Sequence, residues 1–484
     1  NHIFTRLQAL IFCCIFCWVL MPCHSWAETG SRVELRLTAD NQLTVTARDA
    51  SLREILSRLA DQGIRIRIDP AIDFKVSAAY ENKPVNQVLD AILGAHSHAL
   101  IWQDAPAGAE SGGYRLAEIQ IYRPGHRDRM TLLEDKNFKI GRNPETGALF
   151  VRHELLVRLK NPDFLNQLKS LLAAKGGRIV SRTPGGIYRI KLPESVDELA
   201  FLAKLKEINE LSGAEPNYAY QAPRAFKAVT PDVDLPEIKS RAPEGSPVPV
   251  AVFDSGLSPE FQKQPYILDT FNAVDPEHPV DDGLGHGTQM SLLAAGAAHP
   301  MGLDADKADT VPVIAIRGFD ENGLTSNYTL MQGIAHAMEK GARVLSLSWH
   351  SETESAFLET AIAKAAENGL TVVAAAGNEP TGKPVYPAAY DTVLGVGALQ
   401  PDGQKWENSN FGDFVSHQAP GFANLPVGYQ SDPGIYAGTS IATAYTANRI
   451  AAYLARHPGA GAEEIQKFLT DKASPAPKAR PLPH

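Results

Sequence analysis

The sequence predicts an α/β protein: a parallel β-sheet with helices on both faces, preceded by two small α+β domains. Three observations carry that reading. Between Val248 and about Leu469, short apolar runs alternate with stretches of helical spacing, the pattern of a sheet buried on both sides. Ahead of it lie two compact segments, 28–127 and 150–221, each mixing strand and helix periodicity. At 484 residues the chain has room for about two to four domains.

Composition narrows the function classes. Hydrophobic residues make up 44% and charged residues 21%, the balance of ordinary globular protein rather than of disorder or a membrane bundle. The formal net charge of −9, with no long basic run, argues against a nucleic-acid partner. Residues 1–27 are of another kind. Arg6 is their only charged residue, a mostly apolar run extends from Leu7 to Met21, and Ser25-Trp26-Ala27 fits a small-x-small cleavage site. This reads as a secretory signal peptide, since the run is short for a retained spanning anchor. The expectation is an exported protein, periplasmic or secreted. All four cysteines (Cys13, Cys14, Cys17 and Cys23) lie in that segment, so its removal excludes disulfides, thiolate catalysis and cysteine metal sites together.

In the first small domain, Leu43-Thr-Val-Thr-Ala47 alternates as a strand. Ser51-Leu52-Arg53-Glu54 is a capping box opening a helix with Leu52, Ile55, Leu56 and Leu59 on one face, closed by Gly63. Strands Ile64–Ile68 and Lys75–Tyr80, a helix Val85–Leu93, and short strands near Leu100 and Ile119 follow. This β-α-β-β-α-β order resembles the short N-terminal domain of secretins and TonB-dependent receptors. The resemblance, one of pattern only, implies protein contacts, here with an envelope protein partner. An unrelated small α+β domain has the same pattern. His96 and His98, without further ligand candidates, read as surface residues rather than a metal site.

In the second small domain, His153–Lys160 reads as a strand. Asn161-Pro162 caps and starts a helix reaching Ala174, which Gly176-Gly177 ends. Arg178–Ser181 and Ile187–Leu192 form a hairpin around Pro184-Gly185-Gly186. Ser195-Val196-Asp197-Glu198 is a second capping box, before a helix with Leu199, Leu202 and Leu205. The segment closes on Ala214-Glu215-Pro216-Asn217-Tyr218. It resembles the propeptide of subtilisin-like peptidases, which implies a folding chaperone whose C-terminal strand crosses the active site. A plain ferredoxin-like module shares the pattern without that role. Residues 222–247, rich in Pro and charge, read as a linker open to a maturation cut, and residues 473–484 as a flexible tail.

In the last domain, strands are expected at Val250–Phe253, Thr310–Ile316, Ala342–Trp349, Leu370–Ala375 and Val393–Val396. Helices are expected at Met290–Ala298, Asn327–Glu339 and Ser355–Glu367, and from Ser440 through Ile450 and Leu454. Reactive groups then gather at the carboxyl ends of the strands. Asp254 follows Val250–Phe253 directly. His286 lies in Asp282-Gly-Leu-Gly-His-Gly-Thr288, between glycines that let a backbone approach closely, and Asn378 ends Ala374-Ala-Ala-Gly-Asn378. Ser440 meets a helix N-terminus, where unpaired N–H groups and the helix dipole favour an oxyanion. Taken singly, Asp254 reads as a turn residue and Ser440 as an N-cap.

Together, Asp254-Ser-Gly256, Gly285-His-Gly-Thr288, Ala376-Gly-Asn378 and Gly438-Thr439-Ser440 resemble the motifs of subtilisin-like serine peptidases, in the order Asp…His…Ser. Tyr386-Pro-Ala-Ala389, Ser409-Asn-Phe-Gly412 and Ala419-Pro-Gly421 are also similar. The resemblance implies a subtilisin-like parallel sheet and a serine endopeptidase, made as a zymogen, that cleaves proteins or peptides through an acyl-enzyme. It implies Ser440 as nucleophile, His286 as general base and then acid, Asp254 as the group orienting the imidazole, and Asn378 with the Ser440 N–H as oxyanion hole. Substrate would pair as a strand with Leu347, Ser348, Trp349 and His350, and Ala375, Ala376 and Gly377 would wall the primary specificity pocket. That chemistry requires no cofactor or catalytic metal, and the scattered carboxylates assign no calcium ligands.

Three departures from the family pattern stand out. Gln289 replaces a second His, Ala444-Tyr445 replace Pro-His, and Ser348-Trp349-His350 replace Ser-Leu-Gly. The last puts bulk where a backbone is expected to approach substrate. The alternative they leave is a weakly active or inactive relative that binds peptide or protein.

Overall fold

The computed structural model describes residues 32–471 except 39, 61–63, 70–71, 95, 105–113, 126, 128–129, 133–137, 224–225, 229–237, 304–308 and 428–432. The expected signal peptide with its cysteines, Gly63, part of the expected linker and the tail lie outside the described residues. Two compact units divide the chain between residues 136 and 137. Among the described residues no helix is long and apolar enough to cross a membrane.

The first unit has the expected element order with a strand added in front and a short one behind. β1 (Arg32–Leu37) pairs antiparallel with β2 (Gln42–Ser51). Helix α1 (Leu52–Ala60) follows, with the Ser51 hydroxyl accepting from the Arg53 N–H at 3.1 Å as its cap. Then come β3 (Arg65–Ile68), β4 (Lys75–Pro84), α2 (Val85–Leu93), β5 (Ser97–Asp104), β6 (Tyr114–Tyr122) and the short β7 (Thr131–Leu132). They make two sheets, β1-β2-β4 and β5-β6-β3-β7. Leu52, Ile55, Leu56 and Leu59 of α1 and Val85, Val88 and Leu89 of α2 are buried in one core, as their spacing requires. His98 hydrogen-bonds Asp90 at 2.8 Å and His96 stacks on Phe74.

The second unit opens with β8 (Ile140–Arg142) and β9 (Leu149–Leu159), so the latter starts earlier than His153. The Asn161 side chain caps a single 3-10 turn ahead of α3 (Leu165–Ala173). β10 (Arg178–Arg182) and β11 (Ile187–Lys191) form the expected antiparallel pair. Helix α4 (Glu198–Lys206) is capped by Asp197, not by the expected Ser195. Glu198 is not free to complete a capping box, because it is buried against Arg152 at 2.6 Å. β12 (Leu211–Gln221) completes the order β10-β11-β9-β12, with β8 on β9, and continues onto a strand of the larger domain described below. Within the expected linker, β13 (Phe226–Lys227) is a further short strand.

The rest of the unit is built on β14 (Val250–Asp254), β15 (Ile267–Asn272), α5 (His286–Ala295), β16 (Val313–Arg317), β17 (Leu324–Ser326), α6 (Asn327–Glu339), β18 (Val344–Leu347), α7 (Ala356–Glu367) and β19 (Thr371–Ala375). It continues through β20 (Val393–Leu399), β21 (His417–Pro420), β22 (Phe422–Leu425), β23 (Gly434–Ala437), α8 (Thr439–Arg456) and α9 (Ala462–Asp471). Seven strands lie in the order β15-β16-β14-β18-β19-β20-β21, every pair parallel. Both faces are buried, which explains why β14 is apolar at successive positions. Val250 and Val252 share a core with Leu292 of α5 and Ile450 of α8, and Ala251 and Phe253 share another with Ile334 of α6 and Ile362 of α7. Burying Phe253 alone is worth about 1.5–3 kcal/mol. The sheet thus delivers the carboxyl ends of β14, β18 and β19 to one side of a rigid core.

Candidate active site

Asp254 is the last residue of β14, held between β16 and β18, and is 1% exposed. Its Oδ1 accepts from His286 Nδ1 at 2.8 Å and from the Ser255 N–H at 2.7 Å. Because the carboxylate accepts a hydrogen bond from Nδ1–H, the proton of a neutral His286 stays on Nδ1 and Nε2 is left as the basic nitrogen.

His286 lies in the first turn of α5 rather than ahead of a helix starting at Met290. Asp282 moves the boundary. Its Oδ1 accepts from the Leu284 and Gly285 N–H groups, and its Oδ2 accepts from the Thr288 N–H and hydroxyl at 2.8 and 2.7 Å. At the other end Gly296, in the left-handed conformation with φ 72°, stops the helix short of Ala298. The helix is also locked to the Asp254 segment. The Gly287 N–H donates to the Ser255 hydroxyl at 2.8 Å, and a Cβ on Gly287 would lie 2.4 Å from the Gly256 carbonyl oxygen. Only glycine allows that approach. Burial pulls the His286 pKa down, but the charge and hydrogen bond of Asp254 and the charge of Asp282 outweigh it, so the imidazole titrates above its ordinary range.

Ser440 is the second residue of α8 and is 5% exposed. Its hydroxyl donates to the Ser348 carbonyl at 3.2 Å rather than to the imidazole, and the Ser348 hydroxyl donates to the Ser440 carbonyl at 3.4 Å. Asn378 is fixed by a residue whose role the sequence reading missed. Its Oδ1 accepts from both the N–H and the hydroxyl of Thr439, each at 2.9 Å, and the Thr439 hydroxyl accepts from the Gly377 N–H at 3.2 Å. With its oxygen so occupied, the Asn378 amide nitrogen, beside Gly438, is the end left to donate. The signal for Thr439 was its place inside Gly438-Thr439-Ser440.

The residues expected to bind substrate divide. Leu347 and Ala375, the last residues of β18 and β19, and Ala376 just after are buried. Ser348 reaches Ser440 through its carbonyl. The Trp349 side chain is 1% exposed, in the core cluster of the larger domain, and its ring lies 4.9 Å from that of Tyr220 on β12. The His350 ring packs on Gly377, where a Cβ would meet it at 3.1 Å, and burial lowers its pKa. Gln289 is buried and donates to the Val427 carbonyl at 2.9 Å. With Ala444 in place of Pro, α8 runs unbroken to Arg456. Among the described residues no group of three His, Cys, Asp or Glu side chains is placed to hold a metal ion.

The domain that precedes the sheet reaches this site. β12 pairs antiparallel with β17, Ala219 opposite Ser326 and Gln221 opposite Leu324. β13 pairs with β23, Phe226 opposite Ala437, immediately before Gly438-Thr439-Ser440. Glu215 of β12 accepts from the Ser355 hydroxyl at 2.6 Å and the Asn327 amide at 2.9 Å, at the N-terminal ends of α7 and α6.

Residues 245–482 match the Subtilase family, and residues 139–217 match the Fervidolysin N-terminal prodomain. Over 248 residues the chain is 32% identical to Subtilisin Savinase from Lederbergia lenta, covering 50% of this chain and 89% of that protein. The chain belongs to the subtilase family. This subtilase is also 31% identical over 288 residues to the alkaline protease of Shouchella clausii, covering 58% of this chain and 72% of that protein. Among solved structures, fervidolysin from Fervidobacterium pennivorans, a keratinolytic enzyme related to subtilisin, matches the subtilase with a TM-score of 0.54 at 20% identity. That match covers 70% of this chain and 60% of the fervidolysin chain, and at such identity it is a likeness of fold. The subtilase is a subtilisin-like serine peptidase, a hydrolase of protein or peptide substrates, preceded by a prodomain.

Proposed function

We propose that the subtilase is an exported endopeptidase, made as a zymogen, in which Asp254, His286 and Ser440 form the catalytic triad. The observation that carries this reading is the 2.8 Å bond from His286 Nδ1 to the buried Asp254, at strand ends that also hold Ser440 on a helix N-terminus. A serine hydroxyl is a poor nucleophile until a base takes its proton, and Nε2 of His286 is the base so arranged. The Ser440 hydroxyl turns from Ser348 to Nε2, attacks the scissile carbonyl, and the imidazolium then gives the proton to the leaving amine. The oxyanion takes hydrogen bonds from the Asn378 amide and the Ser440 N–H, and water repeats the sequence on the acyl-enzyme. A fluorophosphonate probe is expected to label the mature protein at Ser440, located by mass spectrometry. Folded, mature protein that stays unlabelled would sink the reading in favour of a peptide-binding relative.

The zymogen part is supported by the chain on either side of residues 222–225. Gln221 pairs with Leu324 of β17 and Phe226 with Ala437 of β23, the strand that leads into Gly438-Thr439-Ser440, which supports reading the prodomain strand and the segment after it as following the path of a bound substrate. Maturation is expected between Gln221 and Phe226, a narrower window than the whole linker allowed. N-terminal sequencing of active protein checks it, and a start upstream of Glu215 would mean that the prodomain neither leaves nor inhibits.

Export rests on residues 1–27, and the first unit, with its β-α-β-β-α-β order, is read as a contact module for an envelope protein. Deleting residues 28–127 is then expected to preserve Ser440 labelling but abolish cross-linking to a partner in the envelope. Unchanged cross-linking counts against the module.

A further inference from the structure

The segments that carry Asp254 and His286 are stitched together by side chains outside the triad. The Thr288 hydroxyl has one proton, which goes to Asp282 Oδ2 at 2.7 Å. Thr288 Oγ1 is therefore the acceptor in its two other bonds, from the Ser258 N–H at 2.9 Å and from the Ser258 hydroxyl at 3.0 Å. Thr288 is fully buried and Asp282 half-buried. With the bond from the Gly287 N–H to the Ser255 hydroxyl, these contacts fix the residues just after His286 to the residues just after Asp254. On the other side of His286, Asp282 Oδ1 holds the Leu284 and Gly285 N–H groups at 3.2 and 2.8 Å. The carboxylate thus closes a ring of backbone around His286, and through Thr288 ties that ring to the Asp254 segment.

Every group that meets Asp282 in this clasp is a donor: the N–H groups of Leu284, Gly285 and Thr288, and the Thr288 hydroxyl. A carboxylate accepts on both oxygens, whereas an asparagine would turn its own NH₂ toward N–H groups whichever way the amide was flipped. We propose that Asp282, acting through Thr288, is a positioning residue of the triad, which holds the start of α5 so that the His286 ring meets Asp254 in the orientation proton transfer needs. The inference rests on the reading of Asp254, His286 and Ser440 as a catalytic triad. The charge contributes as well: burial pulls the His286 pKa down, and Asp282 adds to Asp254 in raising it.

Variants of the matured chain test it, with turnover expressed per Ser440 titrated to completion by a fluorophosphonate, so that unfolded molecules do not count. Thr288→Val breaks the link but keeps the carboxylate charge. Its kcat is expected to fall about tenfold with KM unchanged, and Thr288→Ser, which keeps the hydroxyl, should recover most of the loss. Asp282→Asn breaks both sides of the clasp and removes the charge, so kcat should fall about a hundredfold. Its acid limb of kcat/KM should also lie at lower pH than that of Thr288→Val, because the neutral ring is reached sooner once a raising charge is gone. A clasp that served stability alone would lower Tm and leave turnover per titrated serine unchanged. Turnover within about twofold of wild type in Thr288→Val, or a Thr288→Ser chain no faster than Thr288→Val, overturns the proposal even where Asp282→Asn does not fold. If folded wild type does not label at Ser440, the triad reading fails by itself, and the downfield proton resonance of His286 Nδ1–H decides the clasp. Its shift or loss in Thr288→Val with recovery in Thr288→Ser supports the positioning role, and an unchanged signal in both overturns it.

Discussion

Asp254→Asn is expected to lower kcat about 10⁴-fold, the scale of loss measured when subtilisin and other triad enzymes lose this carboxylate, with the fold retained. The reason lies in one proton. Asp254 Oδ1 accepts from His286 Nδ1, and that acceptance keeps Nε2 free to act as base. An asparagine amide can instead donate to Nδ1, which puts the imidazole proton on Nε2 and turns the base into a donor facing Ser440. The same substitution removes the charge that stabilises the imidazolium. With His286 as the proposed base, wild-type activity is expected to require the neutral ring and so to rise with pH through a pKa that Asp254 and Asp282 hold above the ordinary histidine value. In the variant the larger raising influence is gone while burial still favours the neutral ring, so the acid limb should move to lower pH as the plateau falls. Profiles of kcat/KM against pH, with circular dichroism to confirm folding, check both parts. Activity within tenfold of wild type, or an acid limb moved upward, would show that Asp254 does not orient the base.

The contrast between motif and packing explains how much of this was legible in the sequence. The parallel sheet was readable because β14, β18 and β19 are apolar on both faces, and Asp254, His286, Asn378 and Ser440 stood out by their glycine-rich neighbours. What escaped notice was carried by side chains far apart in the chain. Asp282 sets the start of α5, Arg152 takes Glu198 away from a capping box, and Thr439 aims Asn378. The surroundings of Trp349 were hidden for the same reason: its ring meets Tyr220, more than a hundred residues upstream on β12. β15 and β21 were missed because Ile267–Asn272 and His417–Pro420 carry too few apolar residues to signal strands; they lie at the two edges of the sheet.

Asn378→Ala is expected to lower kcat about 10²–10³-fold, equivalent to about 3–4 kcal/mol of transition-state stabilisation, a range established on subtilisin's own oxyanion amide. KM should change little, because the oxyanion exists only after attack and its donor binds the transition state rather than the substrate. Alanine alone does not separate this role from structure, since Asn378 Oδ1 also receives the Thr439 N–H and hydroxyl. Leaving those donors unpaired at the start of α8 costs about 1–3 kcal/mol of stability and could itself displace Ser440. Asn378→Asp resolves the two, because it keeps the acceptor that holds Thr439 while replacing the donor with a negative charge. If Asn378 serves the oxyanion, the Asp variant should lose at least as much kcat as the Ala variant and keep more of its thermal stability. Thr439→Val should fall between wild type and Asn378→Ala, because the Thr439 N–H still holds Oδ1 after the hydroxyl is gone. An Asp variant with near wild-type kcat would place the oxyanion on the Ser440 N–H alone and reduce Asn378 to a cap on α8.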